Sequence, residues 1–243
     1  MQEKNDFFNN LEKLINDFNI KGIKEVKTIA LVYQVAFKLI EKSGKLKFPI
    51  AYKYTEIDFN KNIAEKHIQE IQNCSLSLID AVMAGEAYDD LMTEFIETKN
   101  LANTNLGQYF TPRDLALFQA EINISHHKLD DFSEDKYFWI GDDTGCGAGS
   151  LILAYMKSIK ELIKGFEDIH YQSIAIRMND IDVDLSKIAY FQVVLSSLLH
   201  SCPIGIVVVE GKNILTEYQE VKNRNEFVMN MPKYTKYKLK NQE

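Results

Sequence analysis

The sequence predicts an α/β protein in which helices pack around a parallel sheet, preceded by a helical region. Three observations carry this prediction. Residues 136–150, KYFWIGDDTGCGAGS, read as a buried strand (Tyr137, Phe138, Trp139, Ile140), a turn carrying Gly145, Gly147 and Gly149, and the start of a helix. The same alternation then repeats, with a strand at Ser173–Met178, a helix from about Leu185 to His200 and an apolar run at Ile204–Val209. Residues 1 to about 100, by contrast, show only helical periodicity.

In that first stretch Phe7, Phe8, Leu11, Leu14, Ile15 and Phe18 recur at helical spacing, and Gly22 ends the pattern. A second helix spans about Lys24 to Lys42, with Ile29, Val32, Val35, Ala36 and Leu39 inward and Ser43-Gly44 as its stop. Pro49 is expected in a loop, followed by helices at about Asn60–Ala84 and Tyr88–Thr98. Thr111-Pro112 precedes a helix at Leu115–Ile122, where Thr111 suits the cap and Pro112 the first helical position.

Composition narrows the class. The chain has 243 residues, 46% hydrophobic and 26% charged, as soluble globular domains do. No apolar run approaches the ~20 residues that span a bilayer, and MQEKNDFFNN does not read as a signal peptide. Cys74, Cys146 and Cys202 are scattered and odd in number, the pattern of reduced thiols in a cytoplasmic protein. The histidines show no zinc spacing with them. A net charge of −7 argues against a free-standing nonspecific DNA binder. Residues 221–243 are nevertheless basic (Lys222, Arg224, Lys233, Lys236, Lys238, Lys240), either facing phosphate or forming a solvated tail.

The glycine turn is not the G-x-G-x-x-G of dinucleotide binders. It reads D-T-G-C-G-A-G-S from Asp143 to Ser150. This resembles the S-adenosylmethionine (AdoMet) motif D-P-x-C-G-S-G-[GST] of adenine-specific DNA methyltransferases, especially type I restriction modification subunits. Asp143, Cys146, Gly147, Gly149 and Ser150 match, with Thr144 in place of proline and Ala148 in place of serine. Upstream, Gly107-Gln108-Tyr109-Phe110-Thr111-Pro112 resembles the family's G-[QE]-[FY]-[FY]-T-P. The resemblance implies a Rossmann-like AdoMet-dependent methyltransferase fold. In it, Tyr109, Phe110, Thr111, Pro112 and the loop Asp143, Thr144, Gly145, Cys146, Gly147, Gly149, Ser150 hold the methionine part of AdoMet.

A carboxylate at the end of the second strand suits a ribose, and Asp180 matches the family's acid, with Asp182 second; either also suits N-capping of the next helix, as does Asp184. After the third strand the family often has G-D-[ST]-L, the aspartate accepting the cofactor's adenine amine. Here Glu210-Gly211-Lys212-Asn213 lacks it, leaving Asn213 as a neutral acceptor. A fourth strand, Glu226–Asn230, leads into Asn230-Met231-Pro232-Lys233-Tyr234, which resembles [DN]-P-P-[FYW]. The resemblance implies that the Asn230 side-chain oxygen and the Met231 carbonyl accept from the N6 amine of a flipped adenine, beside Pro232. Lys233 stands where the family stacks an aromatic ring, and Tyr234 lies one residue later.

The expected organisation is a helical region at 1–104 and an AdoMet-binding methyltransferase-like domain at 105–243. Its four parallel strands, with Phe138–Gly141 and Val207–Glu210 central, would form an incomplete sheet, since the family fold continues beyond the amine motif. The expected activity is N6-adenine methylation of DNA in a restriction-modification setting, with DNA and a specificity or complementing chain as partners and no membrane. The alternative is a catalytically impaired methyltransferase-like protein that binds cofactor or a partner.

Overall fold

The computed structural model describes residues 2–44, 50–54, 65–99, 111–132, 136–142, 145–164, 171–202 and 204–229. It is a mixed α/β protein with a single five-stranded sheet. In chain order the elements are α1 (Gln2–Asn19), α2 (Glu25–Lys42), β1 (Ile50–Lys53), α3 (Ile68–Ala84), α4 (Met92–Thr98), α5 (Arg113–Ile124), β2 (Phe138–Asp142), α6 (Ser150–Leu162), β3 (Ile174–Asp180), α7 (Val183–Leu199), β4 (Ile206–Gly211), the single turn α8 (Ile214–Glu217) and β5 (Asn225–Met229). Among the described residues no helix is long and apolar enough to cross a membrane.

The sheet order is β1-β5-β4-β3-β2. β2, β3 and β4 are parallel, as the strand–helix alternation requires. The expectation of an all-parallel sheet is corrected at the other side, where β5 runs antiparallel to β4 and β1 antiparallel to β5. The cause is the connection. In residues 212–224 the chain builds only the single turn α8, whereas a crossover to a parallel strand usually carries a full helix. Instead it folds back: the Gly211 N–H donates to Lys222 O at 3.3 Å, and Asn223 Nδ2 donates to Gly211 O at 2.9 Å.

Two further expectations are corrected. β4 is central, but β2 is an edge strand. Ile50–Lys53, which follows the loop expected at Pro49 and for which no strand was expected, forms β1, pairing Tyr52 with Phe227.

The core follows strand alternation. Ile140, Ile174, Ile176, Met178, Val207, Val209 and Phe227 face one side and join the main cluster; Ala175, Ile206, Val208 and Val228 form a smaller cluster on the other. α7 lies on the main face, buried continuously from Leu185 to Ser197. A helix buried all round needs a second layer above it. α2 supplies that layer: Phe37 packs on Phe191 at 5.7 Å between ring centroids, and α1 and α3 pack in turn on α2. Residues before 105 therefore share one core cluster with the sheet.

Candidate cofactor site

The parallel strands point their carboxyl ends at one edge of the sheet, and the glycine turn sits there. The Cys146 N–H donates to Asn179 O at 2.8 Å, pinning the turn to the end of β3. Gly145, Gly147 and Gly149 have φ of +155°, +54° and +100°, a region in which L side chains are strained. At Gly149 space is limiting as well, because a Cβ would lie 3.2 Å from Ala189 Cβ and 3.3 Å from Ala189 Cα. The turn thus presses against α7 at one glycine, whereas among the described residues an added Cβ at Gly145 would meet only Asp180 Oδ2, at 3.9 Å.

Gly149 is also the N-cap residue of α6, and among the described residues no side chain caps that helix. A helix N-terminus presents amides without intrahelical acceptors and a partial positive charge, which suits an anionic group. Backbone at positive φ followed by an uncapped helix fits a cofactor that carries a carboxylate.

Asp180 is the last residue of β3, two residues later than the strand expected from the sequence. Its carboxylate is buried, and it accepts from Gly147 N–H at 2.7 Å and from Asp182 N–H at 2.8 Å. Asp182 serves as the N-cap of α7, accepting at Oδ1 from Asp184 N–H (3.0 Å) and Leu185 N–H (3.2 Å). The helix therefore starts at Val183 rather than Leu185.

Thr111 joins the site through its backbone, whose carbonyl accepts from Ser150 Oγ at 3.3 Å. The two sequence motifs are thus brought together. Thr111 does not cap the following helix: Pro112 is the N-cap residue, and among the described residues no side-chain cap is present. Ala116 and Ala120 of α5 pack on Ala154 of α6, so small side chains let the helices approach closely. Arg113 Nη2 bonds Asp89 Oδ1 at 3.0 Å, and Lys157 Nζ bonds the same oxygen. Burial pushes the Asp89 carboxyl up, but Lys157, the Glu86 amide and Arg113 outweigh it and hold it below its usual range.

On the β4 side, Asn213 is the N-cap residue of α8, its side chain accepting from Leu215 N–H at 3.1 Å. Lys212 is buried, its Nζ 2.9 Å from Glu210 Oε2 and 2.6 Å from Glu220 O. The charge there is neutralised internally.

One contributor was missed. Gln192, expected at the edge of the α7 core stripe, is buried and connects three segments. Its Nε2 donates to Ala148 O at 2.8 Å, and its Oε1 accepts from Tyr33 OH and Leu91 N–H, each at 3.3 Å. A glutamine between the apolar runs Ile188–Phe191 and Val193–Leu195 was the available signal, since buried amides require partners.

Tyr109, Phe110, Asp143, Thr144, Asn230, Met231, Pro232 and Tyr234 lie outside the described residues. The strand leading to Asn230 is described, and Val228 pairs with Ile206 at the start of β4. β5 therefore exits at the edge of the sheet opposite to Asp180 and the glycine turn. Among the described residues no cluster of histidine, cysteine and carboxylates is built to hold a metal ion.

No curated protein and no solved structure matches the chain. Residues 80–243, well over half of the sequence, match the family described as N-6 DNA Methylase. The match takes in the glycine turn, Asp180 and the amine motif together, and the chain belongs to the N-6 DNA methylase family.

Proposed function

We propose that the chain binds AdoMet in a Rossmann-like site at the carboxyl edge of β2–β4 and is built for methyl transfer to the N6 amine of adenine in DNA, within a restriction-modification setting. The observation that carries this reading is the turn at 145–149, with positive φ at three glycines, an uncapped helix behind it and the Asp180 carboxylate beneath. When bound, AdoMet supplies an electrophilic methyl group. The amides of the turn and of the first turn of α6 would hold its carboxylate, with Thr111 and Pro112 alongside. Asp180 would accept from the ribose hydroxyls, releasing the Gly147 N–H to do so, with Asp182 remaining as cap. Asn213 would approach the adenine of the cofactor. At the target base, the Asn230 side-chain oxygen and the Met231 carbonyl would accept from the amine and orient its lone pair, with Pro232 fixing the turn and Tyr234 stacking on the base. DNA is the substrate in this reading, and residues 105–243 form the cofactor-binding unit on which the 1–104 region is layered.

A second reading is a catalytically impaired member that binds cofactor or a complementing chain. The direction of β5 favours it, because the strand leaves the sheet opposite to the glycine turn, and so do Met231 and Lys233 in the amine motif. Calorimetric titration with AdoMet tests what the two readings share; no binding would refute the cofactor site. Tritium transfer from AdoMet to unmethylated DNA separates them. Turnover by the purified chain, abolished in Asn230→Ala, supports the first reading, and binding without turnover supports the second.

A further inference from the structure

Trp139 is the single tryptophan of the chain and stands 51% exposed within β2. Its register partner is Ala175, so it lies on the side of the small cluster, away from α6 and α7, whose apolar residues join the main one. Among the described residues no helix contributes to the small cluster. Two residues earlier on the same face, Tyr137 lies 6.4 Å from the indole between ring centroids, with 64° between the planes, and so buttresses Trp139 without stacking on it. Two residues later Gly141 places no side chain on this face; among the described residues an added Cβ there would meet only Arg177 O, at 3.8 Å. Arg177, the register partner of Gly141, has a side chain 52% exposed. Its Nη2 lies 3.8 Å from Oε2 of the buried Glu210, which also meets Lys212 Nζ at 2.9 Å and Arg224 Nη1 at 3.7 Å, and Arg224 pairs with Glu226 as well. Three cations thus share two carboxylates, and Arg177 is the most exposed of the three.

We propose that this face of β2 and β3 binds single-stranded DNA, a base stacking on Trp139 over Gly141 and a phosphate pairing with Arg177. An exposed indole beside a glycine and a guanidinium on the neighbouring strand match the two parts of a nucleotide, the planar base and the anionic phosphate. The excess positive charge of the cluster supplies the complementarity, and membership of a DNA methylase family makes DNA the polymer. A duplex does not fit, because stacked base pairs hide the faces that the indole needs. The net charge of −7 also opposes the dense phosphates of a duplex. Stacking rather than counterion release carries the affinity, so the face responds to an unpaired strand and not to its sequence. This site lies apart from the glycine turn and does not depend on the cofactor reading.

The experiment uses the full chain without AdoMet, so that failure of the cofactor site is read separately. Fluorescein-labelled oligodeoxythymidine of about twelve nucleotides is titrated and followed by anisotropy, beside a duplex of the same length. The single strand should bind more tightly than the duplex and quench the fluorescence of Trp139 at saturation. Trp139→Leu keeps apolar bulk but removes the ring, and should weaken binding roughly 5- to 150-fold, the range expected for one stacked base. Trp139→Phe should retain most of the affinity. Arg177→Gln should make the slope of log affinity against log salt shallower by about 0.7, the loss of one phosphate contact. If Trp139→Leu fails to fold, the wild-type quenching and the Arg177→Gln slope decide the matter. No binding of the single strand, equal affinity for the duplex, or full affinity in Trp139→Leu would overturn the proposal. So would a salt slope that Arg177→Gln leaves unmoved. A Trp139 signal that shifts with protein concentration alone, as the particle mass doubles, would show that a second copy covers the face and would also overturn it.

Discussion

The Gly147 amide donates to Asp180 Oδ2 at 2.7 Å, so the residue proposed to bind the ribose also holds the turn proposed to bind the methionine end. The other Asp180 oxygen accepts from Asp182 N–H. A single carboxylate thereby fixes the turn to β3 and the start of α7.

Asp180→Ala should therefore cost stability as well as cofactor affinity. It leaves two amides without their acceptor, about 1–3 kcal/mol for each that water does not reach. In a protein of this size each kcal/mol lowers the melting temperature by roughly 2–4 °C. Asp180→Asn retains one oxygen and should lie between wild type and alanine in thermal unfolding while still weakening AdoMet in calorimetry. An Asp180→Ala variant with wild-type stability would show that the carboxylate does not hold the turn.

Gly149→Ala should destabilise by about 1–3 kcal/mol, because the position combines positive φ with a close approach to Ala189. Adding Ala189→Gly removes the contact with the Ala189 Cβ but leaves the backbone strain. The double variant should recover only part of the loss, after allowing about 1 kcal/mol for glycine within a helix. Urea unfolding of the four proteins measures the two parts, and complete recovery would mean that φ carries no cost.

Gln192→Leu should lower stability by about 1–3 kcal/mol for each buried group left unpaired, among them Ala148 O and Leu91 N–H. Tyr33→Phe should then add little in that background, giving a coupling of about 0.5–3 kcal/mol in a double-mutant cycle. Simple additivity of the two changes would place the Tyr33–Gln192 contact outside the energetics of the fold. The same variant should weaken AdoMet, because the carbonyl of Ala148 lies within the glycine turn.

His200 gives a pH dependence of defined sign. Burial pushes its imidazole below the usual value, and the hydrogen bond from Nε2 to Val82 O at 2.9 Å offsets this only in part. An unfolded histidine titrates near about 6.5, so below that pH the unfolded chain binds a proton that the folded one resists. The His200 contribution is thus fully present above about pH 6.5 and is lost as the pH falls through the lower folded value. The urea midpoint of wild type relative to His200→Asn should decline from pH 7 to pH 5. A difference that does not change with pH would refute the assignment.

The sequence by itself determined the local chemistry. A strand, three glycines and a helix in immediate succession dictate a turn at positive φ, because only glycine takes those angles without strain, and the acid at the end of β3 follows from its place in the chain. The family was legible for the same reason, its motifs being short and contiguous. Strand partners and directions were not. The apolar runs Phe138–Ile140 of β2 and Phe227–Met229 of β5 state that the segments are buried, not which strand lies beside them. The connection through α8, which builds no crossover helix, turned β5 antiparallel, and pairing with β5 drew Ile50–Lys53 into the sheet. Tertiary structure alone decided that Gln192 joins the glycine turn to α2 and that β2 is left at an edge. Each of these depends on contacts between residues distant in sequence, whose energies no local pattern encodes.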